Sequence, residues 1–153
     1  YYHFDDKEAV LVEILDEFFE KGRTLTDAWA ETEDSSAETI ASFARQVAGL
    51  VAENRDIVRI MTGELGARDR SVAGMISDFY QDLYERVTRA MELGISLGVV
   101  RACDARIAAV AHVGMIKEVV QDQVDRAEDG EADLEHVVAE LLSLIYRGIR
   151  VKA

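Results

Sequence analysis

The chain has 153 residues, 49% hydrophobic and 31% charged, with 30 acidic against 17 basic residues and a net charge of −13. That length fits one domain with a real core, and no apolar run nears the roughly 18–20 residues that span a bilayer. Twelve acidic residues face only Lys7, Lys21 and Arg23 before residue 39, a balance that repels the phosphates of a nucleic acid.

Asp5, Asp6, Lys7 and Glu8 interrupt any leader-like apolar stretch at the start. A single cysteine, Cys103, permits no internal disulfide and suits a reducing cytoplasm. The chain contains no proline, which removes the usual helix breaker and points to long helices joined by Gly and polar loops. The expected fold is all-α, an antiparallel bundle of about six helices.

In chain order, Leu11, Ile14, Leu15 and Phe18 recur at i, i+3, i+4, i+7 and predict a helix over 6–21. Asp5 or Asp6 caps its start and Gly22 stops it. The stretch RTLTDAWAETEDS has no helical period and reads as a connector. A capping box from Ser35 to Glu38 then opens an amphipathic helix with Ile40, Phe43, Ala44, Val47, Leu50 and Val51 on one stripe. A short helix follows with Ile57, Val58, Met61 and Leu65 inward, ended by Gly66.

The next helix, roughly 69–97, is expected to be the longest, on the order of 40 Å. Its apolar residues, from Val72 to Met91, cover an arc wide enough for more than one neighbour. Asp104 caps a helix to about Arg126 whose Ala-rich first half, with Gly114, admits another backbone closely. After a charged turn around Gly130, a last helix carries Leu134, Val137, Val138, Leu141, Leu142 and Ile145 before Gly148.

Enzyme chemistry finds little support. A bundle-type di-iron site needs two Glu-x-x-His pairs and two further Glu, whereas only Asp133-x-x-His136 has this spacing, and Asp133 serves better as a cap. No metal site and no cofactor are expected. There is no HExxH, no Gly-rich phosphate loop and no G-x-S-x-G elbow. His112 is either a core or interface histidine bonded to a neighbour or a polar contact in an apolar ligand pocket. Such a pocket would draw on Phe43, Met61, Met75, Phe79, Tyr80, Leu83, Met91 and Met115. The last two helices, through Ala111, Gly114, Val138, Leu141, Leu142 and Ile145, could pair with those of a second copy in an isologous four-helix interface.

The opening YYHFDDKEAVLVEIL resembles the junction of TetR-type transcriptional regulators, a Tyr-x-His-Phe-x-x-Lys signature before an apolar helix, here Tyr1, His3, Phe4 and Lys7. Gly98, Arg101 and Asp104 resemble the passage into that family's penultimate helix, and Arg147–Gly148 the end of its last one. The resemblance implies an effector-binding and dimerisation domain over 5–153, with 1–4 the remnant of a helix-turn-helix reader of roughly forty residues. It implies a cytoplasmic homodimer that acts on operator DNA through that reader, as a repressor answering a small hydrophobic or aromatic effector, and not an enzyme. Positions matching Tyr1, His3 and Lys7 would contact DNA phosphates. A helical dimerisation or adaptor module without a small-molecule ligand is the alternative.

Overall fold

The structure, a computed structural model, describes residues 2–32, 36–63, 69–126 and 133–149, and side-chain placement for all of these but 2–6, 8 and 37. The described residues form six helices: α1 (Tyr2–Ala30), α2 (Ala37–Glu53), α3 (Arg55–Thr62), α4 (Arg70–Ser96), α5 (Ala105–Arg126) and α6 (Leu134–Ile149). The expected all-α bundle is what the chain forms. α2 lies on α6 and α1, α4 between α1 and α5, and α3 against α5.

The periodicity of each helix points its apolar stripe at these neighbours. Leu15, Phe18 and Phe19 of α1 join Val72 and Phe79 of α4, Ile57 and Val58 of α3, Val120 and Val124 of α5, and Leu134 of α6 in one core. A second, mostly aliphatic cluster seals α2 to α6: Ala44, Val138 and Leu142, flanked by Ile40, Phe43, Val47 and Ala139. α4 does use its wide arc against two partners, α1 and α5.

Side-chain caps set most helix starts. Asp69 Oδ1 accepts from the backbone N–H groups of Ser71 and Val72 at the start of α4, Asp104 Oδ1 from Ile107 at the start of α5, and Asp133 Oδ1 from His136 at the start of α6. Each satisfies amides that the first helical turn leaves unpaired.

Four boundaries differ from the sequence expectation. α1 does not stop at Gly22 but continues to Ala30, taking in most of the expected connector and making it, at 29 residues against 27, longer than α4. Gly22 is there for space: a Cβ on it would lie 3.2 Å from Phe79 Cζ, so the glycine lets α4 come close instead of ending the helix. Its backbone is also helical from Tyr2, so neither Asp5 nor Asp6 is its first residue. The N-cap of α2 is Ser36, one residue beyond the expected Ser35, because the hydroxyl of Ser36 accepts from Thr39 N (3.2 Å). α3 ends at Gly63 rather than Gly66, where the Gly63 N–H closes on Arg59 O (2.8 Å). Leu65, Gly66, the Ser35 half of the capping box and the turn around Gly130 lie outside the described residues.

The passage between α4 and α5 gives the Gly98, Arg101, Asp104 spacing a physical reason. Gly98 takes the left-handed conformation (φ +72°) that turns the chain off α4. Three residues on, Arg101 reaches the far end of the chain: its N–H donates to Ile149 O (2.7 Å) and its Nε to Gly148 O (2.9 Å). A guanidinium is thereby placed on the carbonyl end of α6, where positive charge is favoured. The same tie brings the start of α5 beside the end of α6.

Candidate functional site

Two regions carry features that core packing alone does not require. The first is the seam of α1, α4 and α5. Phe19 and Phe79 stack with ring centroids 4.3 Å apart and 14° between planes. Phe18 meets Phe19 edge-on, and Phe79, Tyr80 and Tyr84 continue the aromatic row along α4. Three cations stand over this row: Arg23 over Phe79 (6.0 Å), Lys117 over Tyr80 (5.4 Å) and Arg106 over Tyr84 (5.3 Å). Such contacts draw on the negative face of each ring. Burial, with the neighbouring Tyr84 and Glu118, pushes the Tyr80 hydroxyl up to about 12, so it stays a neutral donor at physiological pH.

Met61, Met75, Tyr80 and Leu83 pack against the core cluster that holds the buried Phe79, so five of the expected pocket residues share one cluster. Phe43 belongs to the other cluster, where its ring stacks on Trp29 (4.5 Å). Met91 and His112 are buried but belong to neither cluster, and Met115 is exposed at the surface of α5. The expected pocket set is therefore not one contiguous lining. His112, 9% exposed, keeps Nδ1 without a hydrogen-bond partner, and burial holds its imidazole below the ordinary value. A groove of about 430 Å³ lies at the α1–α2 joint, walled by Trp29, Phe43, Thr39, Ser42 and Gln46 among others.

Beside Phe79 the seam turns polar. Arg23 Nε (3.0 Å) and Arg86 Nε (2.9 Å) both donate to Asp82 Oδ2. Arg86 Nη1 also donates to Asp27 (2.6 Å to Oδ1), and Arg23 Nη1 to Glu20 (3.2 Å). Partial burial raises the Asp82 carboxyl, but the hydrogen bonds and charges of Arg86 and Arg23 outweigh it and hold the group below its ordinary value. Hydrogen bonds from Arg86 to Asp27 and then Asp82 hold Arg86 more firmly charged. The sequence reading missed this group. Asp82 and Arg86 show i, i+4 spacing, but both cross-helix pairs span 59 residues, beyond any local pattern.

The second region is an open apolar face. Ile107 (69% exposed), Val110, Ala111 and Met115 lie along one side of α5, and Gly114 between them has nothing within 4 Å of a Cβ position. On α6, Leu144 (66% exposed) stands out, with open space at Gly148 as well. The expected interface set divides here. Ala111 and Gly114 are on the open face, and Ile145 is half-buried. Val138, Leu141 and Leu142 are buried within the single chain, Val138 and Leu142 against Ala44 of α2, so they offer no surface to a partner. Ile107, Val110 and Leu144, which are exposed, were missed; their signal was the i, i+3, i+4, i+7 run of Ile107 and Val110 with Ala111 and Gly114, and a Leu144 set off from the inward stripe.

Of the expected phosphate contacts, Lys7 is exposed on α1, and Tyr1 and the side chain of His3 lie outside the described residues. Among the described residues, no three His, Cys, Asp or Glu side chains stand together as a metal site, and no helix is long and apolar enough to cross a membrane.

No curated protein matches the chain. Residues 33–149 match the family described as tetracyclin repressor-like, C-terminal domain. The matched segment takes in α2 to α6 with Gly98, Arg101, Asp104, Arg147 and Gly148, and leaves out α1 and the opening Tyr1–Lys7 motif. With well over half its length matched and six helices in the expected bundle, the chain belongs to the family of tetracyclin repressor-like C-terminal domains.

Proposed function

We propose that this chain is the effector-binding and dimerisation unit, residues 5–153, of a cytoplasmic TetR-type repressor. The observation that carries the reading is the family match over residues 33–149. The aromatic row beneath the match adds chemical detail. Phe79, Tyr80 and Leu83 with Met61 and Met75 offer flat apolar contact and adaptable thioethers. The neutral Tyr80 hydroxyl supplies a polar contact of the kind that orients a mostly hydrophobic guest. The effector is thus a small, largely apolar or aromatic molecule.

The dimer forms through the open face of α5 and α6, which meets its own copy about a two-fold axis. The exposure of Ile107, Val110 and Met115 on α5 and of Leu144 on α6 supports this, since large exposed apolar side chains grouped on a helix face mark an interaction site. α1 leads from the core towards Tyr1, where a helix-turn-helix reader would attach with Tyr1, His3 and Lys7 near phosphates. An effector that binds one arrangement of α1 better than another shifts the spacing of the two readers, and half-site spacing is a geometric demand. By linkage, operator DNA weakens effector binding by the same factor.

The test is a version of the chain with such a reader ahead of Tyr1. A compound that raises the melting temperature should also change operator affinity, and compounds that bind without any such change would sink the reading. The direct stack of Phe19 on Phe79 favours a second reading, a dimerisation module whose core is simply packed. A panel of apolar and aromatic compounds that never shifts the melting temperature would favour it.

A further inference from the structure

α1 has two unlike parts. Among the described side chains of α1, the buried ones, Leu15, Phe18 and Phe19, precede Gly22, and no residue from Gly22 to Ala30 is buried. The junction is weak as a helix. Gly22 lacks a side chain to restrict the backbone, and Thr24 and Thr26 turn their hydroxyls back to the carbonyls of Glu20 (2.9 Å) and Gly22 (2.9 Å). Back-bonding of this kind destabilises and bends helices. What fastens the distal part is polar and lies on α4: Arg23 to Asp82, and Asp27 to Arg86, with Arg86 also joined to Asp82. One apolar fastening is added, the Trp29–Phe43 stack on α2.

We propose that residues 22–30 are a strap that opens from α4 about Gly22, and that the Arg23–Asp82–Arg86–Asp27 group is the latch that holds it shut. Few buried contacts and a helix end tied by charge are the marks of a segment that unfolds or swings locally before the rest of the molecule. The latch pairs two guanidinium charges with Asp82 and Asp27, with Glu20 a further partner of Arg23, so loss of Arg86 or Asp27 removes the tie between residue 27 and α4. Opening lifts Arg23 from the Phe79 ring, while Gly22, the pivot, stays against it. The strap is thus the regulated cover of the aromatic row, a consequence that rests on the effector reading given above.

Hydrogen exchange followed by mass spectrometry on the full 153-residue chain tests the latch without any effector, so its failure is separate from failure of that reading. In Arg86→Ala, and in the near-isosteric Asp27→Asn, amides of residues 22–30 should exchange about tenfold faster than in the parent. The change should stop near Gly22, with residues 11–20 and α4 within about twofold of the parent. Unchanged exchange in the strap overturns the proposal. So does acceleration of equal size throughout the helices, which would make these ion pairs part of global stability only.

Discussion

The seam between α2 and α6 and the seam between α1 and α4 are both buried, yet they are made differently. The first is Ala44, Val138 and Leu142, flanked by Ile40, Val47, Ala139 and a single ring, Phe43, a mostly aliphatic set that lets two helices lie close. The second is two stacked rings beside a glycine, bordered by four charged side chains. An aliphatic seam tolerates exchange among side chains of equal volume, because dispersion and burial have little direction. A stack edged with charge has directional requirements and can be biased by a new contact. The difference teaches where this domain is scaffold and where it can respond.

The largest effect should come from cutting into the aromatic seam. Phe79→Ala should lose about 3–5 kcal/mol in a denaturant titration. Leu142→Met, which keeps volume in the aliphatic seam, should cost less than about 1.5 kcal/mol. Equal costs for Phe79→Leu, which removes the ring, and Leu142→Met would erase the distinction.

A contrast within α6 sharpens it. Leu141→Glu places a charge among buried groups and should destabilise the fold by about 3 kcal/mol or more. Leu144→Glu, three residues on but exposed, should leave the melting curve nearly unchanged and weaken self-association at least about tenfold in sedimentation. A Leu144→Glu protein with the parent's association behaviour would remove α6 from the interface.

Arg101→Ala should cost about 1–2 kcal/mol, since it deletes a charged donor from a helix end while its own backbone bond to Ile149 survives. No measurable loss would mean that solvent serves the α6 carbonyls as well.

The smallest effect concerns His112. Its folded value lies below the ordinary 6.5, so the unfolded chain takes up the proton first as pH falls. The contribution of the neutral imidazole is complete above about pH 6.5 and shrinks below it, by no more than about 1.4 kcal/mol per pH unit. His112→Gln should flatten that part of the stability profile; a slope that persists must belong to other groups.

Much of the fold was legible because helices advertise themselves through period and caps. Asp69, Asp104 and Asp133 all stand where helices begin, and the stripe of α4 faces more than one neighbour, as its width implied. Glycine was the weakest guide. Gly22 was read as a stop from its local freedom, whereas its role comes from Phe79, 57 residues away in sequence. The site was less legible for the same reason. A stripe such as Val138–Leu141–Leu142 says that a helix face is covered, not whether α2 or a second chain covers it. The pairs Arg23–Asp82 and Asp27–Arg86 exist only once α1 and α4 are side by side.

Trp29 is the chain's single tryptophan, and it stands on the strap with its indole stacked on Phe43. The chain therefore carries its one indole at the joint between α1 and α2, apart from its tyrosines. Emission excited at the indole band reads the polarity of that joint alone, so any compound that disturbs it can be titrated without a label.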